Sequence, residues 1–148
     1  MLLAGLCAFA VTRLDSSGGS PAGPVVQKTV PLQPRAMAVA RDFVATAVAR
    51  KNLARAWTLA APALKRGLTL AQWETGTIPV PPYPVAKAAA HYTVETSYAG
   101  AAVLRVTFTP PPASTTAAGD FLIALHRIGD RWLVSSWAPR SIVTAGDG

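Results

Sequence analysis

The chain has 148 residues, which is the length of one domain of ordinary size with additional terminal segments. Charged residues make up only 14% of it and 51% of the residues are hydrophobic, yet no apolar run reaches the length of about 18 residues that marks a membrane-spanning helix. The net charge of +7 permits binding to anionic lipid, nucleic acid or cell-wall polymer, and the single cysteine, Cys7, excludes an intrachain disulfide.

Residues 1–15, MLLAGLCAFAVTRLD, form a short apolar segment that predicts a signal peptide or the end of a membrane anchor. Ala8-Phe9-Ala10 fits the small-x-small cleavage pattern. The alternatives are a buried first strand and a lipoprotein signal at Cys7, which Leu6 disfavours because a small residue is required there. Residues 16–35, rich in glycine, serine and proline, predict a flexible linker. This order predicts an extracytoplasmic domain that is membrane-anchored or secreted.

Three helices are predicted next. The apolar spacing over residues 36–48 follows the helical period and predicts the first helix. Asn52 is placed to cap the second helix, which Pro62 interrupts or restarts. The sequence TLAQ at residues 69–72 is a capping box for a short third helix, and Gly76 ends it.

The stretch TIPVPPYP, residues 77–84, contains four prolines that hold the chain extended and forbid a helix or a central strand. Its spacing also matches the PxxP pattern of a polyproline ligand. Ile78, Val80 and Tyr83, with Trp73 just before them, are large apolar side chains better explained by docking onto the domain itself. The sequence therefore favours a rigid segment of the fold, here called the proline strap, over a displayed ligand.

The apolar period then changes to two. Residues 91–98 and 102–109 predict an antiparallel pair of strands. Residues 121–139 predict a hairpin around the two-residue turn Gly129-Asp130. The predicted core face of this hairpin comprises Phe121, Ile123, Leu125, Trp132 and Val134.

The turn also fixes which residues of the hairpin share its second, outer face. In a regular register His126 pairs with Leu133, and Leu122 pairs with Trp137. These residues are too apolar for a plain solvated surface. They are the interface candidates, for a homodimer or for another protein: Leu122, His126, Leu133 and Trp137.

Over residues 36–139 the predicted order is helices, then the proline strap, then a Gly-Asp hairpin with tryptophans. This order resembles the nuclear transport factor 2-like superfamily, and more closely its anchored bacterial members. The resemblance implies an α+β cone in residues 36–143, with three N-terminal helices on a curved antiparallel sheet of about four strands, and a tail at 144–148. The superfamily includes steroid isomerases and polyketide cyclases, which use an acidic base and a tyrosine within the cone. Other members are binding or assembly modules appended to transpeptidases and to secretion or conjugation channels.

The residues argue against catalysis. An isomerase of this kind needs a carboxylate desolvated in an apolar pocket. Glu95 and His91 share a strand face, but alternation directs both to solvent, and His91 and His126 lie too far apart in sequence to indicate a metal site. We predict no catalytic residue, metal or cofactor. A cavity for a small apolar ligand is the alternative function, and its candidate lining residues, which could equally be core, are Trp57, Trp73, Tyr83, Tyr92, Tyr98 and Asp120.

A set of basic residues lies in the stretch between Asp42 and Glu74, which contains no acid: Arg50, Lys51, Arg55, Lys65 and Arg66. Such a face could contact a membrane surface or a cell-wall polymer, or simply be solvated. Nucleic-acid binding is disfavoured because the aromatic residues are not interleaved with these charges. The leading hypothesis is a non-enzymatic extracytoplasmic interaction or assembly module, tethered at its N-terminus and able to dimerise through the outer sheet face.

Overall fold

The computed structural model describes residues 28–140. The predicted signal or anchor segment at 1–15, with Cys7, and the predicted tail at 144–148 lie outside these residues. Within them, no helix combines the length and the apolar character needed to cross a membrane.

The first helix, α1, spans Pro34–Phe43 and continues as a π-helical turn over Val44–Val48. It begins two residues before the predicted start, because the fixed φ of proline suits the first helical position. The chain before it is also packed: Gln33 accepts a hydrogen bond of 2.9 Å from the indole of Trp132, and Leu32 lies against the core. The packed domain therefore extends into the last residues of the predicted linker.

Three short helices follow: α2 (Leu53–Leu59), α3 (Pro62–Lys65) and α4 (Leu70–Glu74). The side chain of Asn52 caps α2, and the predicted capping box of α4 is present in full. The described residues thus hold four α-helices where the sequence predicted three. The difference arises because the proline at position 62 cannot continue α2 and starts a separate helix instead.

The proline strap packs against the end of the first helix. The amide of Tyr83 donates a hydrogen bond of 3.2 Å to the carbonyl oxygen of Val48. The guanidinium of Arg50 donates to the carbonyl oxygen of Val80, whose own side chain is only 1% exposed. The segment is held by main-chain and side-chain bonds, which confirms the strap and not the displayed ligand.

The four strands are β1 (Ala89–Ser97), β2 (Ala101–Thr109), β3 (Gly119–Ile128) and β4 (Arg131–Pro139). They form one antiparallel sheet in the order β1-β2-β3-β4. The helices lie on one face of this sheet, so the fold class is α+β, as predicted.

The core fills the space between the helices and the sheet. Thr46 and Ser97 are the buried polar residues among residues 28–140, and the Thr46 hydroxyl is satisfied by the carbonyl oxygen of Asp42 at 2.8 Å. The largest fully buried side chains are apolar: Trp73, Phe43, Phe108, Leu104, Ile123, Leu125, Val44, Val48, Val80, Val106 and Val134.

One edge of the sheet is closed by the loop between α2 and α3. Ala60 forms a parallel bridge with Val134 of β4, and the amide of Ala61 donates a hydrogen bond of 2.7 Å to the Val134 carbonyl oxygen. Both alanines are buried. Strand β4 is therefore covered beside Val134, at the middle of its outer edge.

The β3–β4 hairpin keeps the predicted register only near its turn. Leu125 pairs with Val134 as expected, but Ala124 then pairs with Ser136. Ser135 is thus an extra residue in β4, a β-bulge. Because strand side chains alternate, one inserted residue reverses the orientation of every residue beyond it.

The bulge moves Trp137 from the outer face to the core. Trp137 pairs with Ile123, not with Leu122 as predicted, and it is 4% exposed. Its ring stacks on Phe121 with the centroids 4.6 Å apart, and its indole N–H donates to the carbonyl oxygen of Pro81 in the proline strap at 3.1 Å. The prediction that Trp137 is an interface residue is therefore wrong.

Candidate interaction surface

The sheet face opposite the helices, the outer face, carries a band of apolar side chains. Its members alternate along their strands with buried core residues, and each is half-buried by its neighbours in the sheet. Antiparallel sheets with one solvated face normally carry polar side chains there. The apolar band consists of Val103 on β2, Leu122 and Ala124 on β3, and Leu133 on β4.

An ionic cluster borders one end of the apolar band. Asp120 accepts hydrogen bonds from Nε and Nη2 of Arg105 at 2.9 and 2.8 Å, and one from the hydroxyl of Thr107 at 3.4 Å. Arg140 lies 3.7 Å from the same carboxylate. Asp120 therefore sits on the outer face and lines no interior cavity, which corrects the sequence prediction.

The Arg105 hydrogen bonds hold the pKa of Asp120 below its ordinary value of 3.8. A lowered pKa in the folded state means that this carboxylate contributes stability when ionised, and that the contribution is lost as the pH falls through the folded value. We expect the free energy of unfolding to decline below about pH 4. Urea denaturation across a pH series should show a smaller acid decline in Asp120→Asn than in the parent. Parallel declines in the two proteins would contradict the assignment.

His126 lies at the other end of the apolar band. Its Nδ1 is 2.8 Å from the hydroxyl oxygen of Ser135, and that hydroxyl donates to the carbonyl oxygen of Ala124 at 3.3 Å. Both contacts are satisfied together only if Nδ1 carries a proton and donates it to Ser135. The bulge residue thus orients His126, and no residue between 28 and 140 forms a hydrogen bond with its Nε2.

A cleft of about 690 Å³ adjoins His126 at the β1–β2 turn. Tyr98, a predicted cavity residue, and His126, a predicted interface residue, both line it. Its other lining residues are Lys28, Val30, Ala99, Gly100 and Ala101. It is an open surface cleft outside the packed core.

The other aromatic residues predicted to line a cavity pack in or against the core at separate places. Trp73 is fully buried and meets Trp57 edge to face, with centroids 5.7 Å apart. Tyr83 stacks on Phe108 at 4.2 Å. The ring of Tyr92 lies beneath the guanidinium of Arg41. Burial is the main cause of the raised pKa of the Tyr92 hydroxyl. The structure uses these aromatic groups as packing.

The five predicted basic residues do not form one free surface. Arg55 is paired with Asp42 at 2.7 Å, and the Lys65 ammonium lies 4.1 Å from the ring centroid of Trp57. Arg50 holds the proline strap, as described above. Lys51 and Arg66 are exposed.

The acid and base considered for catalysis, His91 and Glu95, are both exposed on β1. No group of three or more His, Cys, Asp or Glu side chains capable of holding a metal ion occurs in the part of the chain that the structure describes. Sequence reasoning missed Val103 and Arg105 as outer-face residues. Strict alternation from the β2 core positions would have found both.

Comparison with protein-family models, with curated proteins and with solved structures gives no match to this chain.

Proposed function

We propose that the protein is a non-enzymatic, extracytoplasmic interaction or assembly module whose outer sheet face contacts another protein. The apolar band carries this proposal, since no element among residues 28–140 covers it. An apolar centre bordered by the Arg105–Asp120 cluster at one end and by His126 at the other has the composition of a protein interface with a polar rim.

A different protein fits this face better than a second copy does. A two-fold interface uses the same patch on both subunits, so each copy must supply its own anchors. With Trp137 in the core, the apolar band holds only aliphatic side chains, whereas binding energy concentrates in aromatic and arginine anchors. A heterologous partner can supply such an anchor.

The extracytoplasmic location and the N-terminal tether rest on the apolar segment and linker of residues 1–35. Membership of the nuclear transport factor 2-like superfamily and its cone shape are supported by the element order and by the four-stranded sheet with helices on one face. A membrane surface or a cell-wall polymer is less well supported as a partner, since Arg50, Arg55 and Lys65 are engaged within the domain.

The alternative, a ligand-binding or isomerase-like protein, has less support. It needs an ionisable group in an apolar interior. Asp120 is tied to Arg105 on the outer face, and Trp57 and Trp73 pack against each other. The observations favour the interaction module.

Site-specific photocrosslinking in the producing cell tests the proposal. A photoreactive residue at Leu133 should give a discrete adduct with another protein, and one at the exposed Ala63 of α3 should not. Leu122→Arg, combined with the probe at Leu133, should abolish the adduct, because a charge in the apolar band opposes docking. Identical crosslinking from both positions, or adducts that persist in Leu122→Arg, would overturn the proposal.

A further inference from the structure

In the part of the chain that the structure describes, strand β1 is an edge of the sheet with no further strand paired to it. Among residues 28–140, a single main-chain hydrogen bond reaches β1 from outside the sheet, from the amide of Val30 to the carbonyl oxygen of Ser97 at 2.9 Å. That bond lies at the last residue of the strand. The remaining outward amides and carbonyls of β1 can pair with another strand, in contrast to β4, which Ala60 and Ala61 cover.

Strand β1 carries only some of the features that protect an edge against such pairing, namely a charge and a bulge at Glu95. The strand Ala89–Ser97 contains neither proline nor lysine, the residues that commonly protect an edge. Val94 on the helix side is 44% exposed, beside the half-buried Tyr92. The bulge near Glu95 is the one irregularity of the strand in its pairing with β2.

We propose that β1 pairs antiparallel with β1 of a second copy, about a two-fold axis beside Thr93. On the helix side, this register sets Tyr92 of each copy opposite Val94 of the other copy. It sets His91 opposite Glu95 of the second copy on the outer face. Favourable cross-strand pairs include an aromatic residue opposite a β-branched one, and an acidic residue opposite a basic or hydrogen-bonding one.

The neighbouring registers lack this complementarity. An axis beside Val94 would set His91 opposite Ser97, and one beside Tyr92 would set Glu95 opposite Ala89. Only the axis beside Thr93 covers the exposed valine with an aromatic ring and pairs the acid with the histidine. Arg41, 5.3 Å from the Tyr92 centroid, covers the ring face and leaves the ring edge to meet Val94.

The product would be a closed, isologous dimer with one continuous sheet of two four-stranded halves. The pairing uses the strand edge and leaves both apolar bands uncovered, side by side on the outer face. The inference is therefore independent of the partner proposed for the outer face.

Charge exchange in the full-length chain tests the register. His91→Glu places a glutamate opposite Glu95 of the second copy, and Glu95→Lys places a lysine opposite His91. Each variant should weaken the dimer, as measured by sedimentation velocity. For His91→Glu we expect a loss of about 5- to 10-fold in affinity, because two symmetric pairs change together. The double variant pairs glutamate with lysine and should restore the dimer. A monomeric parent, or a double variant weaker than either single one, would overturn the proposal.

Disulfide trapping gives a second measurement. In a Cys7→Ser background, Thr93→Cys places two thiols opposite each other at the axis, where the cross-strand spacing suits a disulfide. Oxidation should yield a covalent dimer. His91→Cys is the matched control, since its two copies lie four residues apart, about 13 Å, and should not crosslink. Equal crosslinking of both variants, or none of Thr93→Cys, refutes the register.

Leu133→Glu separates this inference from outer-face self-association. It should leave the β1-paired dimer intact, because position 133 lies on the opposite edge strand. A monomeric Leu133→Glu would instead assign the dimer to the outer face and overturn the edge pairing.

Discussion

Replacing Trp137 by alanine is expected to lower the free energy of unfolding by about 3–5 kcal/mol, the range for a large aromatic side chain removed from a core. The substitution removes the stack on Phe121 at 4.6 Å and the edge contact with Phe108 at 6.4 Å. It also leaves the Pro81 carbonyl oxygen without its indole donor. Urea denaturation at neutral pH measures the loss.

Leu133→Ala is the matched control, because Leu133 occupies the same strand but lies half-buried on the outer face. It should cost about 1 kcal/mol. The contrast tests the bulge at Ser135: in a hairpin without the bulge, Trp137 and Leu133 would share the outer face. A loss for Trp137→Ala no larger than that for Leu133→Ala would contradict the buried position of the tryptophan.

Gly119→Ala has the second-largest expected effect, a loss of about 1–3 kcal/mol from overpacking. A Cβ at this position would lie 2.8 Å from Cε2 of Phe121 and 2.9 Å from Cε2 of Tyr83. Tyr83 is held by its stack on Phe108 and by the hydrogen bond of 2.7 Å from its hydroxyl to the Ala117 carbonyl oxygen. Phe121 is held by its stack on Trp137. The glycine makes room for the proline strap to dock. Thermal and urea unfolding of Gly119→Ala and of the parent measure the loss of stability.

Gly100→Ala serves as the control, because no atom of residues 28–140 lies within 4 Å of a Cβ built there. Its stability should remain within about 0.5 kcal/mol of the parent. In a Tyr83→Ala background the cost of Gly119→Ala should fall, since one of the two ring contacts is gone. An unchanged cost in that background would show that Tyr83 does not constrain the glycine.

The features predicted correctly from the sequence depend on local chemistry. Asn52 caps α2 through its own side chain, and Pro62 restarts the helix because it lacks an amide hydrogen. The turn at Gly129 sets the first pairs of the hairpin through its left-handed φ of 64°. Each of these effects acts within a few residues of its origin, so a short stretch of sequence suffices to predict it.

The features that were missed depend on contacts distant in sequence. Nothing in the local sequence Val134-Ser135-Ser136 marks Ser135 as the inserted residue of a bulge. The bulge is required by Trp137, because its side chain reaches the core only if the alternation of β4 is reversed before it. The prediction that Asp120 lines a cavity neglects strand alternation, which directs Asp120 outward from its neighbour Phe121 in the core.

The covered edge of β4 limits how far strand addition can proceed. A sheet with two open edges can add copies indefinitely and grow into a fibre. Here Ala60 bridges β4 at Val134, so a β1-paired dimer would carry a partly covered β4 edge at each end of its sheet. The short α2–α3 loop would thereby hinder the addition of further copies to that dimer.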